Sequence, residues 1–96
     1  MDRTDQRALG DLCGVGEATL EDFALLGISS VVQLREQDPR DLYDRMCAAT
    51  ASRQDPCVHD VFACAIAQAK DARLPKKECE WWTWSRRRKL EGPHDL

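Results

Sequence analysis

Two aspartate–proline pairs, Asp38-Pro39 and Asp55-Pro56, constrain the fold more than any other feature of this chain. An aspartate carboxylate caps the free amides at a helix start, and proline suits the first helical position because its missing N–H has no partner there. Each pair leads into apolar residues at helical spacing. Leu42, Tyr43, Met46 and Ala49 follow the first; Val58, Val61, Phe62, Ala65, Ile66 and Ala69 follow the second. Ser30 and Gln33 have the spacing of a capping box, with Val31 and Leu34 as the buried side of a short helix. The stripe over about 56–72 is wide enough to belong at the centre of a bundle.

The same punctuation extends to both ends. Thr4 is placed to cap a short first helix that turns Ala8, Leu9 and Leu12 inward, and Gly14-Val15-Gly16 breaks it. A second helix is expected over about 17–26, with Leu20, Phe23 and Leu26 as its stripe. Gly27 fits the left-handed position that ends such a helix, and Ile28 supplies the apolar contact that often follows. Leu74-Pro75 stops the long helix, residues 76–90 form a last helix or ordered arm, and 91–96 read as a disordered tail. No segment has the pattern of a strand, a repeat or low complexity. The expected fold is therefore all-α: one domain over 1–90, a compact bundle of about five helices. Within it, a hairpin unit covers about 4–36, supporting helices about 38–72, and a basic, tryptophan-rich arm 74–90.

Leu12-Cys13-Gly14-Val15-Gly16, followed by Thr19-Leu20 and Phe23, is the stretch with chemical content. Two glycines let the backbone turn tightly between packed helices while Val15 plugs the gap. Amides left open at the next helix start, with the helix dipole behind them, can hold a phosphate. Such a contact positions a duplex without reading its sequence. The spacing resembles the helix-hairpin-helix motif of DNA repair and replication proteins. Leu26-Gly27-Ile28-Ser29-Ser30-Val31 through Leu34 resembles the companion unit beside that motif, which makes the bundle SAM-domain-like. Opposing this use, Glu17, Glu21 and Asp22 sit on the helix after the turn, where each disfavours a phosphate by roughly 1 kcal/mol near water. A turn that only packs helices is the competing reading.

A longer series resembles one bacterial family. Gly14-Val15-Gly16, Leu26-Gly27-Ile28, Asp38-Pro39 with Leu42-Tyr43, Gln54-Asp55-Pro56-Cys57-Val58, Val61-Phe62, and Trp81-Trp82 with Trp84 occur in this order. The series is similar to that of the pathogenicity-locus proteins, whose members often carry the label of mitomycin resistance proteins. It spans about residues 8–90. The resemblance implies a helix-hairpin-helix domain in a bacterial cytoplasm, and the resistance label fits DNA binding because mitomycin damages DNA.

Charge narrows the possible surfaces. The chain carries −3 overall, but residues 1–50 hold five arginines against ten acids, whereas 74–90 hold six basic residues against Glu78 and Glu80. Affinity for nucleic acid has to come from that local asymmetry. Trp81, Trp82 and Trp84 with Arg86, Arg87, Arg88 and Lys89 form the second candidate surface, since basic side chains replace counterions and indoles stack on unpaired bases. The alternative is that Trp81 and Trp84 pin the arm to the bundle, with the arginines solvated or paired with acidic helices.

Five cysteines are an odd number, no two lie two or three residues apart, and the start Met1-Asp2-Arg3-Thr4-Asp5 has no signal-peptide character. They are expected to be buried thiols, neither a disulfide framework nor a zinc knuckle. Cys57 with Asp55 and His59 is the only metal-like grouping, and Cys57 near a helix start is a candidate for a reactive thiol. With two histidines, no nucleophile beside a base and no paired carboxylates, no catalytic residue, cofactor or metal is expected. No apolar run reaches the roughly 18 residues of a membrane span, and the compartment expected is the cytoplasm. The expected function is that of a non-catalytic accessory protein. It would bind nucleic acid without sequence preference through Gly14, Val15, Gly16 and Thr19, helped by Arg86, Arg87, Arg88 and Lys89. The alternative is a protein–protein adaptor that meets a partner, or a second copy, through the tryptophan arm.

Overall fold

The computed structural model describes residues 7–90. Within them lie α1 (Glu17–Leu25), α2 (Val31–Arg35), α3 (Pro39–Thr50), α4 (Pro56–Lys70) and α5 (Trp81–Leu90), with two 3-10 turns at Leu9–Asp11 and Lys76–Cys79 and no strand. The expected cap at Thr4 and the expected tail over 91–96 lie outside the described residues.

The helix starts follow the sequence signals closely. Asp38 accepts from the Asp41 N–H at 3.0 Å and Asp55 from the Cys57 N–H at 2.8 Å, each with proline as the next residue. Ser30 accepts from the Gln33 N–H at 3.1 Å, but the Gln33 side chain returns to the Ser29 N–H at 2.8 Å instead of closing a box on Ser30. At the end of α1, Gly27 adopts φ +80° and the Ile28 N–H reaches back to the Phe23 carbonyl at 2.8 Å, so the last carbonyls are satisfied.

Three expectations are corrected. The described part of the first helix is only a 3-10 turn, because Asp11 bonds the Ala8 N–H at 2.7 Å and Gly10 favours no helix. Leu20 is exposed and leans over Gly10, 3.7 Å from where a Cβ would stand, so α1 buries Phe23 without a full stripe. Ala49 also faces solvent.

α4 is the centre, packed by α2, α3 and α5. Phe62 on α4 meets Phe23 of α1 at a ring-centroid distance of 5.6 Å, both fully buried, and Leu34, Leu42 and Val31 close the core around them. Each of these phenylalanines contributes about 1.5–3 kcal/mol relative to an exposed ring. The expected arm is in two pieces, the second 3-10 turn and α5, separated by extended Glu80. The Trp84 indole N–H donates to the Glu78 carbonyl at 2.8 Å and the Thr83 hydroxyl to the Lys77 carbonyl at 3.0 Å, folding the 3-10 turn under α5.

Candidate nucleic-acid interface

The glycine turn is exposed, with only Val15 buried beneath it. Gly14 takes φ +81°, a left-handed conformation that side chains resist, and the Val15 N–H closes the turn on the Leu12 carbonyl at 3.2 Å. Gly16 is the N-cap of α1 and has no side chain to satisfy the amides of the first turn. Those amides have no intrahelical partner, so they face outward as donors. Thr19 is half-buried one turn along.

The turn is held from behind by a residue that the sequence did not mark. Gln68, buried on α4, accepts from the Cys13 N–H at 2.8 Å and donates to the Cys13 carbonyl at 2.9 Å. Both backbone groups of the residue before Gly14 are thereby fixed. The arginine of Arg7 donates to the Gln68 and Ala69 carbonyls at 2.9 and 3.2 Å, bonding the last turn of α4 to the same segment. A glutamine on a helical face gives no local sign of a partner 55 residues away; its place amid the alanines and isoleucine of α4 is the one available hint.

α5 meets the turn at its amino end. The Trp81 ring lies 3.9 Å from the position a Cβ on Gly14 would occupy, and Trp82 crosses Trp81 edge to face at 5.9 Å. Trp81 and Trp84 are half-buried while Trp82 is 49 % exposed, so the tryptophans divide between anchoring and display.

The basic run divides as well. Arg88 turns inward: its Nε and Nη2 bind Asp60 of α4 at 2.9 and 3.0 Å, and it belongs to the packing of α5, not to an open basic face. Arg87 pairs with Glu78 and lies over the Trp84 ring at 5.0 Å. Arg86 and Lys89 are exposed, one helical turn apart, on the face that Trp82 begins. At a rise of ~1.5 Å per residue they stand about 8 and 12 Å along α5 from Trp81. On the opposing side, Glu17 and Glu21 are exposed, and partial burial with the nearby Glu21 raises the pKa of Asp22 above the usual carboxylate value.

The other candidates come out differently. Cys64 is buried as expected, but Cys13 is exposed and Cys47, Cys57 and Cys79 are half-buried. Burial and the neighbouring Asp55 push the Cys57 thiol up, the reverse of activation by a helix start. His59 is engaged by Asp60 at 3.2 Å and packs edge-on to Tyr43. Among the described residues no three His, Cys, Asp or Glu side chains converge as a metal site, and no helix is long and apolar enough to cross a membrane.

The profile of the family described as pathogenicity locus matches residues 2–90. A Streptomyces lavendulae protein named mitomycin resistance protein McrB is 39 % identical over 98 residues, covering 99 % of this chain and 90 % of that protein. No solved structure matches the chain.

Proposed function

The chain belongs to the pathogenicity-locus family, and from that premise we propose that it is a small, non-catalytic helix-hairpin-helix accessory protein that grips nucleic-acid backbones in a bacterial cytoplasm without reading sequence. The observation that carries this reading is the apposition of the open glycine turn and the root of α5, through Gly14 and Trp81. The first-turn amides of α1 that Gly16 leaves uncapped would supply the donors, the exposed Arg86 and Lys89 the charge, and Trp82 an exposed indole on the same face of α5 as these two. The resistance named for the Streptomyces relative fits a protein that works on DNA. Arg88 leaves the set of phosphate contacts, and Arg87 contributes only by giving up Glu78.

A second reading, a protein–protein adaptor, is favoured by the exposure of Trp82 and by the acidic face of α1. Fluorescence anisotropy of labelled single- and double-stranded DNA across a salt series separates the two. The informative variants are Arg86→Gln with Lys89→Gln, and Gly16→Ala. A Cβ at Gly16 meets nothing within 4 Å, so that alanine keeps the fold while placing a methyl over the amides. Gly14→Val is avoided because of the positive φ. Micromolar binding is expected, with a salt slope that falls by about 2 in the double variant and weaker binding in Gly16→Ala. Absence of binding at low salt, or variants that bind like the wild type, would sink the phosphate reading and leave the turn as scaffold for an adaptor.

A further inference from the structure

Three cysteines from distant parts of the chain meet behind the glycine turn. Cys13 precedes the turn, Cys64 lies on α4, and Cys79 closes the 3-10 turn ahead of α5. Gln68 holds both backbone groups of Cys13, and its Nε2 also donates to the Cys64 sulfur at 3.5 Å. The Cys64 thiol donates to the carbonyl of Glu78, the residue before Cys79, at 3.7 Å. The Cys79 thiol donates to the Leu74 carbonyl at 3.7 Å, and Cys13 lies near enough to help raise the pKa of that thiol, after burial as the larger cause. Beyond them, Trp81 rests on Gly14, so the two segments are registered on both sides of the sulfur pair.

We propose that Cys13 and Cys79 form a reversible thiol–disulfide site, at which a low-molecular-weight disulfide cross-links the glycine turn to the root of α5. Cys13 is exposed and meets the oxidant first; Cys79 is half-buried behind it. The Cys13 thiolate attacks one sulfur of the small disulfide, forms a mixed disulfide and expels a thiolate that takes up a proton. The Cys79 thiolate then attacks the Cys13 sulfur, forms the internal bond and expels the second small thiolate, which is protonated in turn. Two protein thiols lose two electrons and two protons, and the small disulfide becomes two thiols. Cys64 stays out of the exchange: burial pushes its thiol up to about 11, and it has almost no accessible surface. Burial, with Cys13 beside it, also raises the Cys79 thiol, so closure of the bond quickens as pH rises.

The test is incubation of the folded protein with oxidised glutathione, read by intact mass and by peptide mapping without reduction. The expected product has lost two hydrogens, retains no glutathione, maps to a Cys13–Cys79 peptide and reverts with a dithiol reductant. Cys79→Ser is expected to hold one glutathione on Cys13, and Cys13→Ser to form no cross-link, with far-ultraviolet circular dichroism confirming that both are folded. In urea the wild type should lose its preference for this pair. A wild-type protein that keeps glutathione on Cys13, or that joins any other pair, overturns the proposal, and that reading needs neither variant to fold. No nucleic acid enters the measurement, so its outcome is separate from that of the binding experiment.

Discussion

Asp60 has no exposed surface, and its charge is held by Arg88 in a two-pronged pair with a further hydrogen bond to His59. Burial alone would raise its pKa, but the hydrogen bonds outweigh that and hold the carboxyl below its ordinary value. Arg88→Ala would leave this carboxylate buried without its partner, a change that costs about 3–5 kcal/mol. Arg86→Ala, two residues earlier, removes an exposed side chain and should stay within about 0.5 kcal/mol. Urea denaturation of the two variants checks the contrast; equal midpoints would mean that Arg88 does not anchor α5. In sequence the two arginines are indistinguishable, because what separates them is a carboxylate 28 residues away on another helix.

At the scale of elements, the caps decide where helices begin, and Asp38→Ala isolates one. It removes the acceptor of the Asp41 N–H at an exposed site and should lower stability by about 1 kcal/mol. A shifted urea midpoint with an unchanged slope is the expected record. Helix starts of this kind are legible because cap and helix are neighbours in the chain: Asp38, Asp55, Ser30 and the Gly27 stop all sit where their residue types predict. Leu20 was misread because helical spacing reports which residues share a face, not whether a neighbour covers it. The split of the arm at Glu80 had no local signal, and the hold of Gln68 on Cys13 had only the hint of a polar side chain amid apolar neighbours. Both depend on α4 being in place, so the turn of the candidate site was legible while its support and the inward course of Arg88 were not.

For the whole molecule, acid is the informative perturbation. Asp60 and Asp55 titrate in the folded protein below their ordinary 3.8, Asp55 because the Cys57 amide bonds it, whereas burial raises Asp22. A lowered carboxylate stabilises the fold above its unfolded pKa and loses that contribution as pH falls through the folded one; a raised carboxylate does the opposite. Thermal melts should therefore hold steady or rise slightly as pH approaches the ordinary carboxylate range and fall steeply below 3.8. A decline that begins well above the carboxylate range would overturn this assignment.

The central position of α4 also bears on how the chain is made. Phe23 leaves the ribosome 39 residues before Phe62, the ring it packs against. At ~5–20 residues per second that is roughly 2–8 s in which α1 to α3 have no core to join. During synthesis the acidic first half waits without its core partner, with helices too short to be stable alone, and its like charge disfavours association with neighbouring chains.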